Sequence, residues 1–164
     1  MVASAVSAML LAAILTSVIY FSRTSLSMAS YYEMGNAKRT LLHYFGRDVR
    51  ESSKAQWTSP NQLQLNVDGD EVTYRYDSLD GTFERSVPGE GARVLAENLR
   101  KVQFLAFDVN GNELLLSQDL SLASEEAKKI QIGLDFESTE GPVSSTETIL
   151  SSKYMLRNKS VEAP

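Results

Sequence analysis

The chain has 164 residues, with 16 Lys and Arg against 21 Asp and Glu, a formal net charge of −5. That acidic balance argues against a nucleic-acid binder, whose phosphate partners require a basic patch. The chain has no cysteine, which excludes disulfides, thiol nucleophiles and cysteine-ligated metal, and its length allows about one domain with an appendage.

Residues 1–22 carry no Asp, Glu, Lys or Arg, and Arg23 is the first charge. As a helix this stretch spans about 33 Å, close to the hydrocarbon thickness of a bilayer. Tyr20 and Phe21 followed by Arg23 resemble interfacial aromatics and a snorkelling cation. The pattern predicts a transmembrane helix over residues 1–22. Two other readings stand beside it. One is a cleaved signal peptide, with an apolar core from Met9 to Phe21 and a small-residue cleavage site at Ser27-Met28-Ala29. The other is a buried helix of a globular domain. Ser4, Ala8, Ala12 and Thr16 recur four apart and share one helical face. In lipid such a small-residue stripe lets a second helix approach closely, so these four are the expected helix-packing residues.

Beyond Arg23, apolar residues fall at Tyr31, Met34, Leu41, Leu42, Phe45 and Val49, with Arg39, Arg47, Asp48 and Arg50 mainly off that face. The spacing predicts an amphipathic continuation of the helix over residues 23–53. Gly35 and Gly46 are expected to mark bends in it. Its apolar face needs a partner surface, and Tyr31, Met34, Leu41, Phe45 and Val49 are the expected helix–sheet core.

The remainder reads as strands. Leu63 to Val67 alternates with period two and Asp68-Gly69 turns it; Val72 to Tyr76 alternates again before Asp80-Gly81; Thr82 to Val87 follows. Asp-Gly between alternating runs is a hairpin signal, because the turn requires positive φ. Val102 to Val109 is closed by Asn110-Gly111, with Glu113 to Leu116 returning. Ile130 to Phe136 alternates, and Thr148 to Leu156 is the last strand, while Leu95 to Leu99 reads as a short helical turn. The fold class expected is α+β. A long N-terminal helix, transmembrane in its first half and amphipathic in its second, packs on an antiparallel β-domain of about seven strands over residues 54–158. Residues 159–164 read as a disordered tail.

Few residues carry catalytic chemistry. Asp68-Gly69-Asp70-Glu71 gathers carboxylates, and Asp108 to Glu113 resembles part of a calcium loop, but both read as turns without the six to eight oxygens that Ca²⁺ takes. His43 is the only histidine and reads as a surface or packing residue, so a zinc site and a hydrolase triad are not expected. No phosphate loop or dinucleotide fingerprint occurs. Trp57, Tyr31, Tyr32, Tyr44 and Phe45 read as packing between helix and sheet.

The layout resembles the type IV pilin-like family. Met1-Val2-Ala3-Ser4-Ala5 is similar to the end of the family's processing region. Asn36-Ala37-Lys38-Arg39 and Phe45-Gly46-Arg47-Asp48-Val49-Arg50 resemble positions on the long helix of minor pilins and type II secretion minor pseudopilins of the J/W kind. Val72 to Tyr76, Leu79 to Arg85, Asn98 to Phe104, Ile130 to Leu134 and Leu156-Arg157-Asn158 resemble that group's sheet domain. The leader, the cleavage Gly, the Phe and the acidic residue of the family motif are absent. Either the start is placed too late, which is the favoured expectation, or this is a degenerate paralogue. The resemblance implies a non-enzymatic structural subunit without a cofactor. Its expected partners are other pilin or pseudopilin subunits, the membrane and secreted cargo. Its expected location is the cytoplasmic membrane, single-pass with the C-terminal domain outside the cytoplasm, and the pilus or pseudopilus after assembly. The alternative is a single-pass, membrane-anchored extracytoplasmic binding domain that does not form filaments.

Overall fold

The computed structural model describes residues 2–138 and 145–160, with the side chains of residues 2–5, 8, 23–34, 138 and 145 outside the description. Helix α1 runs over Val2–Glu51. Ten strands follow: β1 (Ser52–Ser59), β2 (Gln62–Val67), β3 (Asp70–Asp77), β4 (Thr82–Val87), β5 (Gly91–Ala96), β6 (Leu99–Phe107), β7 (Glu113–Leu114), β8 (Lys129–Ser138), β9 (Ser145–Leu150) and β10 (Tyr154–Met155). A short helix, α2 (Leu120–Glu126), precedes β8.

The strands form two antiparallel sheets. The first is a simple meander in the order β1-β2-β3-β4-β5. Its β2–β3 hairpin closes through Asp68 and Gly69, with φ of 53° and 97°, the two positive values that a two-residue hairpin loop requires. The second sheet has the order β10-β8-β6-β7, with β9 also paired to β8. The sheets are tied at Gly81, whose carbonyl accepts from Leu99 N at 2.9 Å, and at Tyr76, whose hydroxyl donates to the Leu99 carbonyl at 3.0 Å.

The C-terminal part of α1 lies against both sheets. Leu41, Phe45 and Val49 are fully buried. The Phe45 ring meets Tyr74 of β3 edge-on at 5.2 Å, and Phe104 of β6 and Tyr154 of β10 at 6.1 and 6.0 Å. Phe83 of β4 stacks on Tyr74 and approaches Phe104, so one aromatic cluster joins helix and both sheets. Gly46 allows this contact: a Cβ there would lie 2.6 Å from the Tyr154 ring. Helix α1 ends where Ser52 Oγ donates to the Val49 carbonyl at 2.9 Å and Asn158 Nδ2 donates to the Glu51 carbonyl at 2.8 Å, satisfying acceptors that a helix end leaves open.

Three expectations are corrected. The chain is mainly antiparallel β, arranged as two sheets rather than one meander of about seven strands. The transmembrane half of the expected α+β, pilin-like class is not found: among the described residues no helix is long and apolar enough to cross a membrane. The expected single-pass location in the cytoplasmic membrane is corrected with it.

Three elements differ in place. Strand β1 and helix α2 are additional, and β5 covers part of the expected turn at Leu95 to Leu99. Lys159, at the start of the expected tail, is buried, and residues 161–164 lie outside the described residues.

Candidate functional site

Of the expected packing stripe, Ala12 and Thr16 are exposed, while the side chains of Ser4 and Ala8 lie outside the described residues. The Thr16 hydroxyl donates to the Ala12 carbonyl at 2.8 Å, so its hydrogen bond is made within its own helix. Around them Val6, Met9, Leu10, Leu11, Ile14, Leu15, Val18, Ile19, Tyr20 and Phe21 are between 51% and 76% exposed. At 3.6 residues per turn these positions point all round the helix. Of the expected helix–sheet core, Leu41, Phe45 and Val49 are fully buried, and the Tyr31 and Met34 side chains lie outside the described residues. His43 is exposed beside Tyr44.

The most polar feature of the core is Asp48. Three residues beyond Phe45 on α1, it turns onto the packed face rather than off it, and its side chain is fully buried. Its carboxylate is fully engaged. Oδ2 accepts from the Tyr74 hydroxyl at 2.8 Å and from Arg85 Nε at 2.7 Å; Oδ1 accepts from Arg47 Nε and Nη2 at 3.1 and 3.0 Å. Tyr74 comes from β3 and Arg85 from the neighbouring β4, where the two are register partners. Burial first, then the Asp48 charge, raises the Tyr74 pKa well above the ordinary tyrosine value. For Arg85, burial lowers the pKa, but the Asp48 hydrogen bond and charge outweigh it and hold the guanidinium protonated. A buried charge is tolerable only when paired in this way.

Above Asp48 the site opens to solvent. The guanidinium carbons of Arg47, Arg85 and Arg93 lie 5.4, 5.4 and 5.5 Å from the centroid of the Tyr44 ring. That is cation–π range for each. Arg93 Nη1 also donates to the Tyr44 hydroxyl at 3.3 Å. Tyr44 and the three arginines line a cavity of about 380 Å³, with Glu90 and Gly91 at the β4–β5 turn on its wall.

Among the described residues no group of three or more His, Cys, Asp or Glu is placed to hold a metal ion. Asp108 is engaged in a turn: its carboxylate accepts from Asn112 N and Nδ2, both at 2.8 Å, and these bonds lower its pKa. The described contact of the single histidine is with the Tyr44 ring. The arginine cleft can hold negative charge.

Sequence reading missed Asp48 and its partners as a unit. The available signal was the i, i+3 spacing from Phe45, which places a carboxylate on the apolar face. Arg85 and Arg93 carried no such signal, because their meeting depends on the β4–β5 register.

The chain matches no protein-family model, and no curated protein is similar to it. These comparisons lend no support to pilin or pseudopilin membership, which rests on the resemblance of the residues alone.

Proposed function

We propose that the chain is a non-enzymatic structural subunit that assembles through α1 with the α1 helices of other subunits, the role implied by its resemblance to minor pilins. The observation that supports this reading is the exposure of apolar side chains on every side of α1 between Val6 and Phe21. A helix that is apolar all round is buried in its working state. One partner laid along one face would leave the other faces in water. A bundle of equivalent helices covers them all, as in the core of a filament. The small residues Ala12 and Thr16 on one side permit close approach of a neighbouring helix.

The test is site-directed cross-linking between subunits through cysteines introduced at exposed α1 positions. Leu11→Asp with Leu15→Asp places two carboxylates where a bundle has no polar partner, and cross-linking is expected to fall sharply. Undiminished cross-linking in the double variant would remove α1 as the assembly element.

A further inference from the structure

The β4–β5 ladder sets Arg85 directly opposite Arg93. Like charges in this relation are destabilising. The carboxylate beneath them, Asp48, is taken by Arg85, Arg47 and Tyr74. Arg93 forms no ion pair with any carboxylate among the described residues. Glu51 is 3.8 Å from Arg47 Nε on the solvent side, half exposed and screened by water. Three guanidinium groups thus converge on one aromatic ring around a cavity of about 380 Å³, large enough for a small ligand or a protruding side chain.

We propose that this cleft binds a carboxylate group, held by Arg93 and the free edges of Arg47 and Arg85 over Tyr44. Asp48 is shared by Arg85 and Arg47, so Arg93 is the guanidinium left without a carboxylate among the described residues, and a monoanion matches its single charge. A phosphate dianion would overcompensate it and face Glu90 on the wall. The planar guanidinium fork matches a carboxylate in two parallel hydrogen bonds. The carboxylate is carried either by a free small molecule or by an acidic side chain of another subunit. The site does not depend on α1 assembly, so its failure and that of the assembly reading are separable.

The experiment follows the arginine Nε–Hε resonances of the full chain by NMR during titration with sodium acetate, with sodium chloride at matched ionic strength as the control. Acetate is expected to shift the Arg93 and Arg85 signals saturably. Arg93→Gln, an exposed substitution that leaves the Asp48 network in place, is expected to weaken acetate binding at least about fivefold. Inorganic phosphate in a parallel titration is expected to bind more weakly than acetate. If the source is another subunit, the same signals shift as protein concentration rises and acetate reverses the shift; if it is a free molecule, concentration has no effect. Equal responses to acetate and chloride would reduce the effect to screening and overturn the proposal. So would unchanged affinity in Arg93→Gln, and tighter binding of phosphate would overturn the carboxylate assignment.

Discussion

At the scale of single residues, two buried charges are handled in opposite ways. Asp48 is surrounded by donors from three elements, so its ionised form is matched on both oxygens. Arg85→Met would leave that carboxylate buried with the half-exposed Arg47 as its one counter-charge, and a broken buried pair costs about 3–5 kcal/mol. Adding Asp48→Leu removes the stranded charge and should restore much of the loss, which chemical denaturation of both variants measures. Equal loss in the single and double variants would show that Asp48 is not the group Arg85 compensates. Lys159 lacks such a match. Its ammonium donates to the Ser124 carbonyl at 2.6 Å, and the Lys128 ammonium donates to the Lys159 carbonyl. Burial first, then the Lys128 charge, pushes its pKa down to about 8, against a partial opposing pull from Glu125. Between about 8 and the ordinary 10.5 the unfolded chain therefore binds more protons than the folded one. Stability contributed by this site rises with pH across that window, and the cost of burying the ammonium is largest below it. Lys159→Met should narrow its advantage over the parent, or widen its deficit, as pH rises from 7 to 10.5. A constant difference in unfolding free energy between the two proteins across that range would remove Lys159 as the cause.

At the scale of elements, Gly46 shows how a locally unfavourable residue is required by packing. Glycine inside a helix costs about 1 kcal/mol relative to alanine, so Gly46→Ala considered alone should stabilise α1. The alanine methyl would instead fall 2.6 Å from the Tyr154 ring, which packs against Phe45 and under Arg50. Gly46→Ala is therefore expected to lower the melting temperature, and in a Tyr154→Ala background the same substitution should become neutral or stabilising. Additive effects in this double-mutant cycle would mean that the two positions do not meet. The glycine at position 46 is accounted for by this close approach. Elements with a clean local signal were legible: β2, β3 and β4 alternate between Asp-Gly turns, and their ranges lie close to the expected ones. Strand β1 was not, because Ser52 to Ser59 is small and polar apart from Ala55 and Trp57, and only those two and Ser52 are buried in it. Strand β5 begins Gly-Ala and carries Arg93, a weak strand former held in place by its ladder to β4. Helix α2 had one readable signal, Asp119, whose carboxylate accepts from Ser121 N and Leu122 N as an N-cap. The arginine cleft was illegible, since Arg85 and Arg93 meet through the β4–β5 register and reach Tyr44 and Arg47 only through packing of α1 on the sheet.

At the scale of the whole molecule, the buried and the exposed apolar side chains of α1 lie on different parts of the same helix. From Leu41 to Val49, α1 supplies fully buried side chains to the aromatic cluster between the sheets, so this part belongs to the folding core. Lys38 extends that attachment, pairing with Glu147 of β9 and lying 4.9 Å from the Phe136 ring. Between Val6 and Phe21 the described large apolar side chains are all more than half exposed, so they contribute little to the burial that stabilises the sheets. Removing residues 1–22 should then leave the unfolding transition of the β-domain nearly unchanged, within about 2 °C, because none of the described side chains there belongs to the core. The same deletion should abolish cross-linking between subunits if α1 is the assembly element. Calorimetry and cross-linking on the one truncated protein read the two effects separately. A large fall in melting temperature would mean that the apolar stretch packs against its own domain, which would also account for its composition without any partner. An unchanged transition with undiminished cross-linking would move assembly to the sheet surfaces. Only the combination of an intact transition and lost cross-linking fits a molecule whose helix is anchored at one end to fold and bare at the other to associate.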